Sequence, residues 1–254
     1  MSHPAYGVLR PVTASASVLL AENPSVMTLE GTNTWVLRAT GSTGCVVVDP
    51  GPDDETHLRR VLACGPVTEI LLTHGHPDHA DGAARFADLA GGVPVRALGD
   101  GLRGGDIVRA ADLDIRVLAT PGHTADSLCF LITDEGGDAV LTGDTVLGRG
   151  TTVVAHPDGR LADYLESLRV LADLAPGTAV LPGHGPELPD AGEAARAYLA
   201  HREQRLDQIR AALAQLGQDA TARQVVETVY ADVDRALWPA AEWSVRAQLE
   251  YLRN

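Results

Sequence analysis

Hydrophobic and polar positions along the first two-thirds of the chain switch repeatedly between two periods. Short β-branched runs, NTWVLRA from Asn33 and CVVVDPG from Cys45, precede ETHLRRVLA, whose apolar residues recur at helical spacing, and then comes VTEILLTH from Val67. This alternation predicts a mixed α/β (α+β) sandwich, because a helix bundle would keep the helical period throughout. Asp81 to Ala90 reads as a further helix. Four strand-like pieces follow, VPVRAL, DIRVLATPG, SLCFLITDEGG and DAVLTGD, separated by Gly, Pro and Asp. A helix over Leu161 to Leu174 and a short strand in TAVLPGHG close this part.

From about Glu193 the pattern is helical only. Ala194 to Leu216 has helical spacing and stops at Gly217; Thr221 with Gln224 forms a capping box that opens a second helix to Tyr230. Pro239 suits the first turn of a third helix ending at Leu252. The boundary is placed near residue 195, giving a main domain over 1–195 and a three-helix region over 196–254. Apolar residues of the third helix, among them Trp238, Trp243, Val245, Leu249 and Leu252, exceed what three short helices bury alone. That surface is expected to dock on the main domain near its functional cleft, or on another copy in a homodimer.

A chain of 254 residues with 45% hydrophobic side chains can bury a full core. It opens without a basic stretch leading into an apolar one, and no run reaches the roughly 18 apolar residues of a membrane span. The expectation is a soluble, cytoplasmic protein with no membrane partner. Cys45, Cys64 and Cys129 lack ligand-like spacing and read as reduced core thiols. The net charge of −14 changes the picture of possible partners. Residues 1–195 hold 12 Arg against 26 acidic residues, whereas residues 196–254 hold 8 against 8, and there is no lysine. Such a body repels a long polyanion, since nucleic-acid affinity comes largely from phosphate neutralisation.

The densest chemistry is Thr73-His74-Gly75-His76-Pro77-Asp78-His79, placed after an apolar strand and before a helix. Packing three imidazoles and a carboxylate at one strand end costs desolvation unless a partner compensates them. A divalent cation is that partner; imidazole suits zinc, and an added carboxylate suits a second ion. Three Gly-flanked turns, each after a predicted strand, offer the remaining ligands: Pro121-Gly122-His123, Thr142-Gly143-Asp144 and Pro182-Gly183-His184. His3, His57, His156 and His201 read as solvated or packed, and Trp35, Trp238 and Trp243 as core or inter-domain packing.

With these residues in place, HGHPDH followed by His123, Asp144 and His184 resembles the motif set of the metallo-β-lactamase superfamily in its binuclear, glyoxalase II-like form. The resemblance implies a four-layer αββα sandwich. It implies one metal on His74, His76 and His123, another on Asp78, His79 and His184, and a bridging Asp144, with Asp78 and Asp144 catalytic as well. Asp49 matches an early aspartate that supports the histidine loop. The Asn23-Pro24 and Leu29-to-Thr34 segments, Leu147-Gly148-Arg149-Gly150-Thr151-Thr152 and His201-Arg202-Glu203-Gln204 are similar to the β-lactamase-like protein 2 group. That group carries a winged-helix-like C-terminal region; here the chain stops at Asn254, directly after the third helix, so the wing is expected to be absent.

Two ions so held share a water, lower its pKa and present hydroxide to a carbonyl or phosphorus. The cofactors implied are two divalent ions, Zn2+ first, with Fe and Mn as alternatives. The acidic body favours a small acyl ester or thioester as substrate. Cleavage of single-stranded RNA is the alternative the resemblance allows, and an iron-dependent redox reaction of the same fold is a further one.

Overall fold

The structure is a computed structural model and describes residues 3–134 and 136–253. Two sheets face each other. The first has seven strands in chain order: β1 (Arg10–Pro11), β2 (Ala16–Leu20), β3 (Asn33–Leu37), β4 (Cys45–Val48), β5 (Val67–Leu71), β6 (Val95–Leu98) and β7 (Gly101–Leu102). Pairing is antiparallel from β1 to β4 and parallel from β4 to β7. The second sheet runs β12-β11-β10-β9-β8, from β8 (Ile107–Ala110), β9 (Leu113–Ala119), β10 (Leu128–Asp134), β11 (Gly137–Gly143) and β12 (Ala179–Pro182). Helices α1 (Glu55–Leu62) and α3 (Ala83–Leu89) cover the outside of the first sheet, and α4 (Leu161–Ala172) and α5 (Ala191–Leu216) that of the second.

The period-two geometry of a strand sorts the side chains into three layers. Val46, Val48, Leu71, Phe130, Leu141 and Leu181 point between the sheets, around the fully buried Trp35. Their neighbours Val47 and Ile70 face outward to meet Leu58, Val61 and Phe86 of α1 and α3. Cys129, Val140 and Val180 turn the other way, onto Tyr164, Leu168 and Ala195. This is the αββα arrangement expected. All three cysteines are free, and Cys45 and Cys129 are buried.

Several elements differ from the expectation. The helix placed over Asp81 to Ala90 is found as α3, which starts at Ala83 behind Gly82, and a separate short helix, α2 (Pro77–Ala80), precedes it. A Cβ on Gly82 would stand 2.8 Å from the Pro52 carbonyl oxygen and 2.9 Å from that of Gly51, so glycine is required where the chain passes that loop. Strands β1, β2, β7 and β8 were not anticipated. Position 195 lies inside α5, which starts at Ala191 behind an Asp190 N-cap. The capping box of Thr221 and Gln224 is formed and opens α6 (Ala222–Val229). A 3-10 turn over Arg235–Leu237 leads into α7 (Trp238–Arg253), and among the described residues no strand follows it. The last helices share their own apolar cluster, while Ala247 and Leu252 of α7 also reach the layer under α4. Trp243, expected to pack, is instead 46% exposed. Among the described residues no helix is long and apolar enough to cross a membrane.

Candidate metal centre

Strands β4, β5, β9, β11 and β12 all end at one edge of the sandwich, and the chain leaves each through a turn that carries a polar side chain. Asp49 follows β4, His74 to His79 follow β5, His123 follows β9, Asp144 follows β11 and His184 follows β12. The sheets are stitched together here: Leu128 N–H donates to Thr73 O at 2.7 Å, and Asn33 N–H to Gly183 O at 2.8 Å. A Cβ on Gly183 would lie 2.6 Å from Asp144 Oδ1 and 2.7 Å from His79 Cε1, so only glycine lets this strand end approach so closely.

The seven residues singled out in the sequence are brought together as two groups, His74, His76, His123 and Asp144 in one, Asp78, His79 and His184 in the other. In the first, His76 Nδ1 lies 3.1 Å from both His74 Nε2 and His123 Nε2. In the second, His79 Nε2 is 3.2 Å from His184 Nε2 and 3.4 Å from Asp78 Oδ2, which is 3.1 Å from His184 Nε2. Asp144 lies between the groups, with Oδ1 3.5 Å from His79 Nε2 and Oδ2 3.6 Å from His123 Nε2 and 3.5 Å from His184 Nε2.

Hydrogen bonds on the far side of each ring fix its tautomer. Val153 O and Gly31 O can only accept, so His123 Nδ1 (2.6 Å) and His184 Nδ1 (3.1 Å) carry the proton. His79 Nδ1 donates to Asp49 Oδ2 at 2.8 Å. Thr73 Oγ1 gives its own proton to Asp49 Oδ2 at 2.6 Å, and therefore accepts from His74 Nδ1 at 3.0 Å. Four imidazoles thus turn a lone pair on Nε2 inward. Asp49 also accepts the Thr73 backbone N–H on Oδ1 at 2.8 Å; with φ at 52° it holds the histidine loop from behind, the role expected of it.

Electrostatics point the same way. Burial and the neighbouring His79 hold His74 well below the ordinary imidazole range, and burial lowers His123. Burial also penalises a charged His79 and His184, but the Asp144 carboxylate overrides it, raising His79 and pushing His184 up to about 11. Asp144 is depressed well below the carboxylate range; burial opposes this, and His184 and His79 prevail. The carboxylates thus favour positive charge beside His79 and His184, which a divalent cation would supply.

This donor set fits divalent cations. Ligand bonds of about 2.0–2.1 Å in a tetrahedral site put neighbouring ligand atoms about 3.3 Å apart, and the separations above run from 3.1 to 3.6 Å. A single proton can bridge only one pair in a cluster of three inward-facing nitrogens. Asp144 Oδ1 is buried and makes no hydrogen bond, which is the state of a carboxylate oxygen shaped for a metal.

Over the centre lies a cleft of about 340 Å³ whose floor includes His123 and Asp144 and whose far wall comes from α5, α7 and the segment between α6 and α7. Docking of the last helices near the cleft is therefore observed. Sequence reasoning missed the wall residues Arg202, Arg205 and Tyr230 as site residues, although His201-Arg202-Glu203-Gln204 had been singled out as a likeness. It also missed Tyr198, whose hydroxyl accepts from Leu147 N at 3.0 Å and donates to Gly150 O at 2.9 Å, pinning the loop that presents Val153 O. Of the remaining histidines, His57 is buried against Thr34 Oγ1 (2.9 Å), His156 meets Glu250 (3.1 Å), His201 lines the cleft and His3 is exposed.

Comparison with known proteins supplies the context. The family model for the metallo-beta-lactamase superfamily matches residues 27–109 and 90–184, and that for the beta-lactamase associated winged helix domain matches 221–254. The chain is 31% identical to a beta-lactamase-like protein 2 homolog of Drosophila melanogaster, over 96% of this chain and 89% of that protein. A homolog of the same name from Caenorhabditis elegans is 33% identical over 92% and 82%. Among solved structures, a beta-lactamase domain protein from Burkholderia ambifaria superposes with a TM-score of 0.79 at 26% identity, covering 99% of this chain and 89% of that one.

Proposed function

Because the chain belongs to the metallo-beta-lactamase superfamily, a fold family of metal-dependent hydrolases, we propose that it is a binuclear zinc hydrolase of an ester or thioester. In this reading His74, His76 and His123 hold one ion, Asp78, His79 and His184 hold the other, and Asp144 serves both. The observation that carries it is the convergence of inward lone pairs, each imposed by a hydrogen bond on the opposite ring nitrogen. Bound there, the ions supply an activated water and Lewis acidity towards a carbonyl.

The chain's own contribution is orientation and exclusion of bulk water. Asp49 holds Thr73 and His79 in one hydrogen-bonded unit, so the two proposed ligand sets share a rigid support. Asp78, whose side chain is 27% exposed, is the ligand carboxylate that opens most to solvent, and its Oδ2 accepts from Thr32 Oγ1 at 3.3 Å. It is the group assigned to pass a proton between the site and solvent. Leu29, Leu147, Val233, Leu237 and Ala241 make the cleft walls largely apolar, which suits an acyl chain. A single-stranded RNA needs several phosphate contacts, and the net charge of −14 opposes them.

Metal analysis of protein purified without added metal, followed by a panel of thioesters, esters and single-stranded RNA, tests the proposal. About two zinc equivalents per chain and chelator-sensitive thioester or ester hydrolysis are expected. A saturating stoichiometry of one refutes the binuclear assignment, iron as the resident metal refutes the zinc assignment, and metal-dependent RNA cleavage at much higher kcat/KM refutes the substrate class.

A further inference from the structure

The wall of the cleft opposite the proposed metal ligands carries two guanidinium groups that no carboxylate answers. Arg202 and Arg205, one helical turn apart on α5, both line the cavity. Elsewhere in the last third of the chain Arg210, Arg223 and Arg246 each pair with an acid within one turn, to Asp207, Glu227 and Glu242. Acidic residues outnumber basic ones 34 to 20, so counter-ions are in surplus. Yet among the described residues neither Arg202 nor Arg205 has an ion-pair partner, whereas Arg149, also on the cleft, pairs with Glu30; the bonds Arg202 and Arg205 do make are to neutral groups.

Arg202 is 3% exposed, donates from Nη2 to Thr152 O, lies 5.0 Å from the centre of the Tyr164 ring, and leaves Nε buried without a hydrogen-bond partner. Arg205 is half-buried, stacks 4.7 Å over Tyr230 and gives one N–H to Gln208 Oε1 at 2.8 Å. Tyr230 itself lines the cleft. A guanidinium has five donors in a rigid fork, so most of those of Arg205 remain unused. The field of the pair is felt at His201, whose imidazole is held low by burial and then by both arginines. Burying positive charge without a counter-ion is costly, and the cost is recovered when a ligand brings the anion.

We propose that Arg205, backed by Arg202, binds an oxyanion on the substrate, a carboxylate or a phosphate-type group, at the end of the acyl chain remote from the bond that is cut. The proposal rests on the acyl-hydrolase reading above for the position of that group relative to the reaction. The intervening apolar wall accommodates the chain, and the fork of Arg205 takes two oxygens of the anion side by side. The cleft therefore selects an acyl chain with a charged terminus over an uncharged one of the same length.

Three aryl thioesters of the metal-loaded protein's assay panel test this: pentanoyl, 4-carboxybutanoyl and 4-phosphonobutanoyl. Wild-type protein is expected to turn over at least one charged chain with a kcat/KM about 10–100-fold above pentanoyl, the range of one charge-assisted contact. Whichever charged chain is faster names the anion. Arg205→Gln is expected to erase that ratio and Arg205→Lys to recover part of it, whereas Arg210→Gln, outside the cleft, keeps it. A ratio unchanged in Arg205→Gln, or a wild-type preference for pentanoyl, overturns the proposal. If no thioester is hydrolysed the acyl reading fails, and calorimetry with glutarate and 4-phosphonobutyrate then decides the subsite alone. Binding that is lost in Arg205→Gln upholds it, and no binding of either anion to the wild type, or equal binding to both proteins, overturns it.

Discussion

Replacing Asp49 by Asn removes one charge and converts one oxygen to an amide nitrogen, and no orientation of that amide satisfies its neighbours. Oδ1 accepts the Thr73 N–H at 2.8 Å; Oδ2 accepts Thr73 Oγ1 at 2.6 Å and His79 Nδ1 at 2.8 Å. If the amide oxygen keeps the Thr73 N–H, the amide nitrogen faces the Nδ1–H of His79, donor against donor. His79 must then move its proton to Nε2 or tilt, and in either case the lone pair aimed at Asp78 and His184 is lost. If the amide is flipped, the clash moves to the Thr73 N–H and the loop carrying His74 shifts instead. Losing a charge-assisted hydrogen bond in a buried site costs about 1.5–3 kcal/mol, and removing such a supporting partner typically weakens metal binding about 10–100-fold. We expect Asp49→Asn to fold and to lose one ion about 10–100-fold more readily than wild type during chelator titration read by metal analysis. Turnover should fall in parallel. Identical chelator curves for variant and wild type would refute the idea that this carboxylate holds the site together.

Asp144→Asn is expected to lower zinc stoichiometry from about two to about one with little change in far-UV circular dichroism, because the residue serves both proposed sets; full double occupancy counts against the bridging role. Gly183→Ala places a methyl group 2.6 Å from Asp144 Oδ1 and 2.7 Å from His79 Cε1, so metal content and activity should both collapse; retained zinc would show that the strand end can yield. His57 supplies a pH prediction independent of the metals. Burial, outweighing the nearby Asp54, lowers its pKa from 6.5 to about 4. The unfolded chain therefore takes up this proton first, and stability present above pH 6.5 is lost as pH falls towards 4, by about 3 kcal/mol in all. Urea unfolding of wild type and His57→Asn, both metal-free, between pH 7 and 4 isolates the effect: the difference between the two should shrink with falling pH, and a constant difference refutes the assignment.

How much of this was legible in the sequence depends on how local each signal is. Val46, Val47 and Val48 announce a strand buried on both faces, and His74 to His79 crowd four potential ligands onto its neighbour's end; both are read within one segment. His123, Asp144 and His184 are far apart, but each sits behind a glycine after an apolar run, and strands of one sheet that share a direction deliver their ends to one edge. Where a partner from elsewhere decides the outcome, the pattern misleads. The helix read from Asp81 begins only at Ala83, and nothing nearby reveals that the carbonyls of Gly51 and Pro52 will press on Gly82. His57 sits at a helix position that reads as amphipathic surface, and only the arrival of Thr34 from β3 makes it a buried, neutral ring.

The least legible features are those that set the chemistry most directly. His123 and His184 owe their tautomers to the carbonyl oxygens of Val153 and Gly31. Every residue has a carbonyl, so no composition or spacing marks these two. The placement of Val153 depends on the loop after β11, which is pinned by Tyr198 and Arg202 of α5. The helix that follows the proposed ligands in sequence thus helps to set the direction of one of their lone pairs. It follows that a change on α5 far from any ligand, such as Tyr198→Phe, should reach the metal through His123: removing the hydroxyl frees the Leu147–Gly150 turn and should lower affinity for the ion proposed on His74, His76 and His123 more than for the other. Equal loss at both ions, or none, would show that the loop holds its shape without the helix.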